Sequence, residues 1–373
     1  MTEDKDFPTT FTTRERVERP ELQQAIEEIA AKGFTGIHMR VNDERGEWTG
    51  SAGLAELGGT EAPSTEGHFR IGSNTKTFTA VLVLQLVAEG RVGLEDVLAD
   101  HLPEFGLDRR ITVRMILQHT SGLFNFTGEY FEDGTVTPGI DWSGRAWVEN
   151  RFRTYTDDEL VRFALARPAR FEPGADWSYA NTNYVLARLL VERLTGRPIA
   201  EETHRRVLDP LALTGTIVPG TATDLPEPYA HAYYRYDVDG VEQTTDVSRQ
   251  NPSWISAGGD MISTTRDLHR FITALVTGKL LPRELMEEMF TPHPKVPYGL
   301  GVMIQPVDGG GTVITHNGGI AGHAALMYAT PDGRTTMTAS LNYVDDAGLS
   351  LSTTFQEAVG RLITEIFGGE TAE

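Results

Sequence analysis

The sequence contains no cysteine. That excludes a thiolate nucleophile, a thiolate-bound zinc ion and any disulfide. Lysine is scarce as well, with only Lys5, Lys32, Lys76, Lys279 and Lys295 in 373 residues. The formal net charge is -20. Such a balance argues against nucleic acid, whose phosphates call for Lys and Arg, and against an anionic membrane surface. Solubility accounts for the charge. No stretch is long and apolar enough to span a bilayer. The start, Met1-Thr2-Glu3-Asp4-Lys5-Asp6-Phe7-Pro8, has neither the positive start nor the apolar run of a secretory signal, so a cytoplasmic location is expected. There is no His-x-His or His-Glu-x-x-His, which disfavours a metal hydrolase, and no Gly-x-Ser-x-Gly, which disfavours a lipase-like hydrolase. Neither a metal nor a cofactor is expected.

What is present is an ordinary globular composition, 39% hydrophobic and 23% charged, long enough for one large domain or two smaller ones. Leu22, Ile26 and Ile29 predict a helix over Glu21 to Lys32, ended by Gly33. Ile37, Met39 and Val41 alternate with Gly36, His38 and Arg40 as in a strand, and a second strand follows through Trp48. His68 to Ile71 is a short strand candidate. From Asn74 to Glu89 apolar residues surround a helix on most sides, which predicts burial. Residues 98 to 249 mix helices, such as Asp157 to Leu165 and Asn183 to Leu194, with long loops. Strands return at Gly299 to Gln305, Thr312 to His316, Ala324 to Ala329 and Thr335 to Leu341, before a closing helix over Leu351 to Phe367. The fold class expected is α+β: one antiparallel sheet flanked by N- and C-terminal helices, with an inserted, mainly helical region. Residues 14–98 and 250–373 would form the sheet part and 99–249 the insert.

Three constellations carry chemistry. Ser73-Asn74-Thr75-Lys76 holds the one lysine with a serine three residues before it, and Lys76 is the only charged residue between Ser73 and Leu86. Positions i and i+3 share a helix face, so the amine can reach the hydroxyl. Burial disfavours the ammonium and makes a neutral amine available as a base. The Ser73 N–H, at a helix start, is suited to an oxyanion. A serine N-cap with a snorkelling lysine produces the same four residues, and it is the buried setting that favours chemistry. The second constellation is Tyr179-Ala180-Asn181, whose outer residues point the same way in an extended segment. Alone it reads equally as a turn asparagine beside a core tyrosine. The third is His316-Asn317-Gly318-Gly319 at a strand end, where glycines permit close backbone approach and a histidine supplies a donor. A hairpin turn with an incidental histidine is the plainer reading.

Ser-x-x-Lys, a central hydroxyl-x-Asn element and a Lys-Thr-Gly strand are the signature set of serine β-lactamases and penicillin-binding proteins. Ser73–Lys76, Tyr179–Asn181 and His316–Gly318 stand here in that order, and the chain resembles the class C β-lactamase and D-alanyl-D-alanine carboxypeptidase branch. His119 to Leu123, Trp254 to Gly259 and Ser263 to Leu268 are similar to that branch too. The resemblance covers roughly Glu21 to Phe367. It implies Ser73 as nucleophile, Lys76 as base, Tyr179 as general acid, and His316 supporting Tyr179 in place of the usual lysine. Asn181 would bind a substrate amide, Trp254 would line the cleft, and the N–H groups of Ser73 and Gly319 would form the oxyanion hole. In the secreted actinomycete carboxypeptidases that the chain resembles, an arginine just past Tyr-Gly-Leu-Gly and two threonines hold the substrate carboxylate. The matching positions here, after Tyr298-Gly299-Leu300-Gly301, are Met303, Asn317 and Gly319, so the clamp for a free carboxylate is dismantled.

The expected function is a serine acyl-transfer hydrolase working through an acyl-enzyme on a peptide-like amide or ester. D-configured residues follow by analogy with the family. A biosynthetic transacylase or peptide cyclase, a class C-like β-lactamase and a non-catalytic penicillin-binding module are the alternatives. The last expects Ser73, Lys76 or Tyr179 to be lost, and all three are present. The expected partner is a small-molecule or peptide substrate, and the sequence does not fix an oligomeric state.

Overall fold

The structure, a computed structural model, describes residues 14–131 and 133–368. The Met1–Pro8 segment, on which the expected location rests, lies outside the described residues. In chain order the first elements are α1 (Pro20–Ala30), β1 (Phe34–Asp43), β2 (Gly46–Gly53), β3 (Phe69–Arg70) and α2 (Thr75–Ala88). The central stretch holds α3 (Leu98–His101), α4 (Val113–Gln118), β4 (Gly128–Tyr130), β5 (Val136–Pro138), α5 (Gly144–Asn150), α6 (Asp157–Leu165), α7 (Asn181–Thr195), α8 (Ile199–Thr203), β6 (Tyr233–Val238) and β7 (Val241–Asp246). The last part holds β8 (Ile262–Ser263), α9 (Thr265–Val276), α10 (Arg283–Met289), β9 (Met303–Val307), β10 (Gly311–Ile320), β11 (His323–Ala329), β12 (Thr336–Asp346) and α11 (Ser352–Phe367).

The main sheet runs β2-β1-β12-β11-β10-β9 with antiparallel neighbours. The amphipathic helices α1 and α11 bury Leu22, Ile26, Ile29, Leu362 and Ile363 against one face of this sheet, with Ile37, Met39 and Val41 beneath them. Helix α9 and the central helices cover the other face. The chain therefore has the mixed α/β layering expected of it, with a sheet between helical layers.

Three expectations need correction. β6 pairs with the end of β12 in parallel, Tyr233 opposite Val344, so the sheet is not wholly antiparallel, and the β6–β7 hairpin comes from a stretch read as helix and loop. Long-range pairing decided this, and no local periodicity announces it. The strand expected from Gly299 starts only at Met303. Gly301 sits at φ +80 with its carbonyl accepting from Thr77 Oγ1 at 2.8 Å, so Tyr-Gly-Leu-Gly is a turn pressed against α2 rather than a strand. β10 does not stop at His316 but runs to Ile320, carrying all of His316 to Gly319 inside the sheet. In β1 both faces are covered: the polar residues His38, Arg40 and Asn42 are buried under β3 and α9.

Helix α2 is buried almost all round and packs on α7 and α8 of the central stretch. Its apolar residues share one continuous core with Leu186, Leu190 and Leu268. The division into 14–98 with 250–373 and 99–249 stands as a proposal in which α2 is the element shared by both parts. Among the described residues no helix is long and apolar enough to cross a membrane.

Candidate active site

Ser73 lies in a 3₁₀ turn, Gly72–Asn74, that leads from β3 into α2. That turn and β10 meet backbone to backbone. Gly72 has φ +48, and a Cβ there would stand 2.6 Å from Gly319 N. A Cβ on Gly318 would stand 1.9 Å from Ile71 O and 2.8 Å from Ser73 N. Both positions require glycine, and the contact sets the backbone of Gly319 beside that of Ser73.

Lys76 Nζ lies 3.2 Å from Ser73 Oγ, 2.7 Å from Asn181 Oδ1 and 2.6 Å from Gly258 O. The side chain is fully buried, and burial pushes its pKa well below the usual lysine value. A neutral amine has two N–H donors and one lone pair. Asn181 Oδ1 and Gly258 O can only accept, so they take the two donors and leave the lone pair to the Ser73 hydroxyl, the longest of the three contacts. On the other side Tyr179 Oη donates to Ser73 Oγ at 2.8 Å. Burial raises the Tyr179 pKa, which keeps it a phenol and a proton donor. Ser73 thus stands between an amine that can take a proton and a phenol that can give one.

Asn181 opens α7, and its placement is fixed by a further layer. Its backbone N–H donates to Asn125 Oδ1 at 3.0 Å and its Nδ2 to Thr127 Oγ1 at 3.1 Å. Thr127 Oγ1 in turn donates to Asn125 Oδ1 at 3.0 Å. The asparagine expected to hold substrate therefore also aims the lysine.

His316 is buried near the same centre, but its bonds differ from those expected. Nδ1 donates to Asn317 O at 2.7 Å, and Nε2 accepts from Tyr298 Oη at 3.1 Å. Both ring nitrogens are taken, so the histidine bonds Tyr298 and not Tyr179. Burial, with the Lys76 amine nearby, lowers its pKa to about 3, so the ring is neutral. Asn317 departs further. His316 and Gly318 face the Ser73 side of the sheet, so strand alternation turns Asn317 to the other face. There its amide donates to Tyr328 Oη at 2.8 Å, beneath α1 and α11. Its expected place as a substrate ligand is not where the side chain points. Met303 opens β9 opposite Thr315, half-buried. Gly319 is exposed, with only His323 O at 4.0 Å from the place of a Cβ.

Sequence reasoning missed three groups. His119, at φ +63, lies against the Tyr179 ring at 4.3 Å between centroids and accepts from Ala180 N at 3.2 Å. Tyr298 bonds His316 and lies 5.0 Å from His119 by ring centroids. Gly258 supplies a carbonyl to Lys76. All three sit in segments already noted as similar to the family. The carbonyl has no side-chain signature to find.

Two cavities flank the centre. One, of about 430 Å³, reaches Gly319 and is walled by Tyr130, Trp142, Tyr234, Trp254 and Tyr343, with Asp345 and Asp346. Trp254, expected to line the cleft, is one of these walls and stacks on Trp142 at 6.3 Å. The other, of about 990 Å³, lies on the Tyr179 side with Glu129, Arg170, Trp177 and Lys295. Its cations are already paired, Arg170 with Glu129 and Lys295 with Asp176. Among the described residues no group of three or more His, Asp or Glu is arranged to hold a metal ion.

A family model described as Beta-lactamase matches residues 22–358. The chain belongs to the β-lactamase family. Among solved structures it is similar to the D-stereospecific amidohydrolase from Streptomyces sp., at 36% identity and TM-score 0.80, over 94% of this chain and 99% of that one. It is also similar to the D-amino acid amidase from Ochrobactrum anthropi SV3 complexed with L-phenylalanine amide, at TM-score 0.79 over 94% and 99% of the two chains. The identity there is 24%, which speaks for the fold alone. Penicillin-binding protein 4* of Bacillus subtilis (strain 168) is 28% identical over 370 residues, 94% of this chain and 76% of that protein. The protein is a serine hydrolase of the β-lactamase and penicillin-binding-protein type.

Proposed function

We propose that the protein hydrolyses amides or esters of D-amino acids through an acyl-enzyme on Ser73. The likeness to the Streptomyces D-stereospecific amidohydrolase, over 94% of the chain, carries this reading. In this mechanism the lone pair of Lys76 takes the Ser73 proton as Oγ attacks the carbonyl carbon. The N–H groups of Ser73 and Gly319 receive the oxyanion. The Tyr179 phenol gives its proton to the leaving amine or alcohol, and the Lys76 ammonium restores it through a water molecule. Water then attacks the acyl-enzyme and the protons return by the same groups. His316 and Tyr298 hold the wall behind this exchange without moving charge.

Preference for an amide or ester over a free acid has support of its own. The cavity at Gly319 carries two carboxylates and is lined by no lysine, arginine or histidine. A substrate carboxylate there would be desolvated beside like charge. The test is a panel of D- and L-amino-acid amides, their esters and D-Ala-D-Ala peptides, followed by intact mass for the acyl-enzyme and peptide mapping for its position. Turnover of D-amides and esters with the adduct on Ser73 is expected. An adduct on any other serine, or preferential turnover of the L-series, would overturn the proposal.

A further inference from the structure

The cavity at Gly319 has an unusual pair of properties. Five aromatic side chains wall it, from Tyr130, Trp142, Tyr234, Trp254 and Tyr343, and a carboxylate from Asp345 closes it. Its neighbour Asp346 is already neutralised by Arg235 at 2.6 Å and caps its own turn through Gly348 N and Ser350 Oγ. Asp345 is different. Its Oδ1 accepts the Asp346 N–H at 2.9 Å, and among the described residues it has no cationic partner within ion-pair distance. It is half-buried, and burial together with the neighbouring Asp346 raises its pKa to about 6, so at neutral pH most of it is ionised. An anionic carboxyl in an aromatic box is left without the cation that such surroundings favour. Ring faces attract a cation through their quadrupole, most of all where water is excluded.

The position of the box gives it a use. Gly319, whose N–H is assigned to the oxyanion in the function proposed above, forms part of its wall. A substrate carbonyl held at Gly319 and Ser73 would set the side chain of its acyl residue toward this space. The cavity volume of about 430 Å³ admits a long, unbranched side chain. The formal net charge of -20 draws cationic substrates toward the protein as a whole.

We propose that this cavity selects acyl residues with a cationic side chain, of the lysine, ornithine or arginine kind, with Asp345 as the counter-ion and the aromatic walls as its cation–π cage. This rests on the amide and ester hydrolysis proposed above and names its substrate class.

The test compares D-lysinamide with D-2-aminoheptanamide, its neutral isostere, so that both carry the same α-ammonium and differ only at the side-chain end. The expected kcat/KM for the lysine substrate is about tenfold or more higher, and Asp345→Asn brings the two within about threefold. The asparagine oxygen still accepts the Asp346 N–H, so the loop keeps its bond. Binding is read independently of turnover from the fluorescence of Trp142 and Trp254, titrating both amides into Ser73→Ala. Tighter binding of the lysine amide that Asp345→Asn removes supports the proposal even where turnover is slow. Equal or better kcat/KM for the neutral isostere, or a preference that Asp345→Asn leaves intact, overturns it. Hydrolysis of D-phenylalaninamide and other neutral D-amides in either case leaves the broader function standing, whereas no hydrolysis of any amide or ester sinks that function and leaves the fluorescence titration to decide this one.

Discussion

The two ends of α2 bury ionisable groups in opposite ways. At its N-terminal end Lys76 is sealed among neutral partners, the Ser73 hydroxyl, the Asn181 amide oxygen and the Gly258 carbonyl. About 20 Å along the axis by helical rise, Glu89 at the C-terminal end holds Arg206. Arg206, Arg205 and Arg197 converge on Glu202, whose side chain is fully buried. Burial penalises the charged form at both places. At Glu202 burial is the largest single effect, yet the three guanidiniums together outweigh it and hold the carboxyl down at about 2. At Lys76 no counter-ion answers burial, and the amine is pushed toward its neutral form. One end of the helix keeps its charge and gains an anchor, while the other gives up its charge and gains a base. The partners set the two apart: three guanidiniums meet Glu202 and no counter-ion meets Lys76.

The sharpest way to break this contrast is to forbid the neutral form at Lys76. Lys76→Arg keeps a cation on the helix face but cannot deprotonate at any working pH. Loss of a positioned general base is worth about 10²–10⁴ in rate. We expect a drop in that range for acyl-enzyme formation with an ester substrate, comparable to Lys76→Ala, in protein shown to be folded by circular dichroism. Near wild-type acylation by folded Lys76→Arg would show that Lys76 acts as a fixed charge, like the arginines at Glu202.

The next test works at the charged end. Glu202→Gln leaves three guanidiniums without their common counter-ion and replaces one acceptor oxygen with a donor. Breaking a buried pair costs about 3–5 kcal/mol, reduced here to about 2–4 kcal/mol because two of the three guanidiniums are half exposed. The sign with pH follows from a carboxyl whose folded pKa lies below its unfolded one. Its contribution is present above about 4.5 and is lost as pH falls toward about 2. Urea unfolding should therefore show a lower midpoint for Glu202→Gln near neutral pH, with the gap to wild type closing as the solution is acidified. The acylation rate per folded molecule should stay within about twofold, since the site is far from Ser73. An unchanged midpoint would mean that the arginines are as well satisfied by water.

How far the sequence anticipated this depends on the reach of each contact. Ser73 and Lys76 are three residues apart, and helix geometry alone brings them together. The burial of α2 was legible because apolar residues surround it, and Lys76 stood out as its only charge. Tyr179 and Asn181 meet Ser73 and Lys76 across more than a hundred residues, and only the resemblance to a known family joined them. The Asn317 expectation failed on a principle already in hand. With His316 and Gly318 on the Ser73 face, period-two alternation sends Asn317 to the other. Ending the strand at His316 took the two glycines for a turn, whereas β10 runs on to Ile320 and the smallness of Gly318 serves the contact with Ile71 and Ser73. The Glu202 cluster had no sequence signal beyond scattered charge, since a buried carboxylate and a solvated one read alike until packing is known.

The smallest expected effect comes from carrying the logic of the charged end into the cleft. The carboxypeptidases that the chain resembles hold a substrate carboxylate with an arginine and two threonines, and the matching residues here are Met303, Asn317 and Gly319. Asn317 is committed to Tyr328, so restoration is best attempted at the other two positions. Gly319 can accept a side chain. Its φ lies outside the left-handed region that favours glycine, and a Cβ would meet nothing nearer than His323 O at 4.0 Å. Gly318, one residue earlier, cannot, since a Cβ there would stand 1.9 Å from Ile71 O. Met303 is half-buried at the start of β9, so an arginine there can keep its stem packed and extend its head toward water. Truncating one partner of a buried charge pair costs about 2–5 kcal/mol, but a rebuilt pair near solvent recovers only part of that. We therefore expect Met303→Arg with Gly319→Thr to shift the ratio of kcat/KM for a D-Ala-D-Ala free acid over its amide by about tenfold toward the acid. The gain should appear only with the charged substrate and fade as salt is raised. A ratio that does not move, or a wild-type protein that already turns over the free acid as well as the amide, would show that carboxylate recognition here does not depend on a cation at position 303.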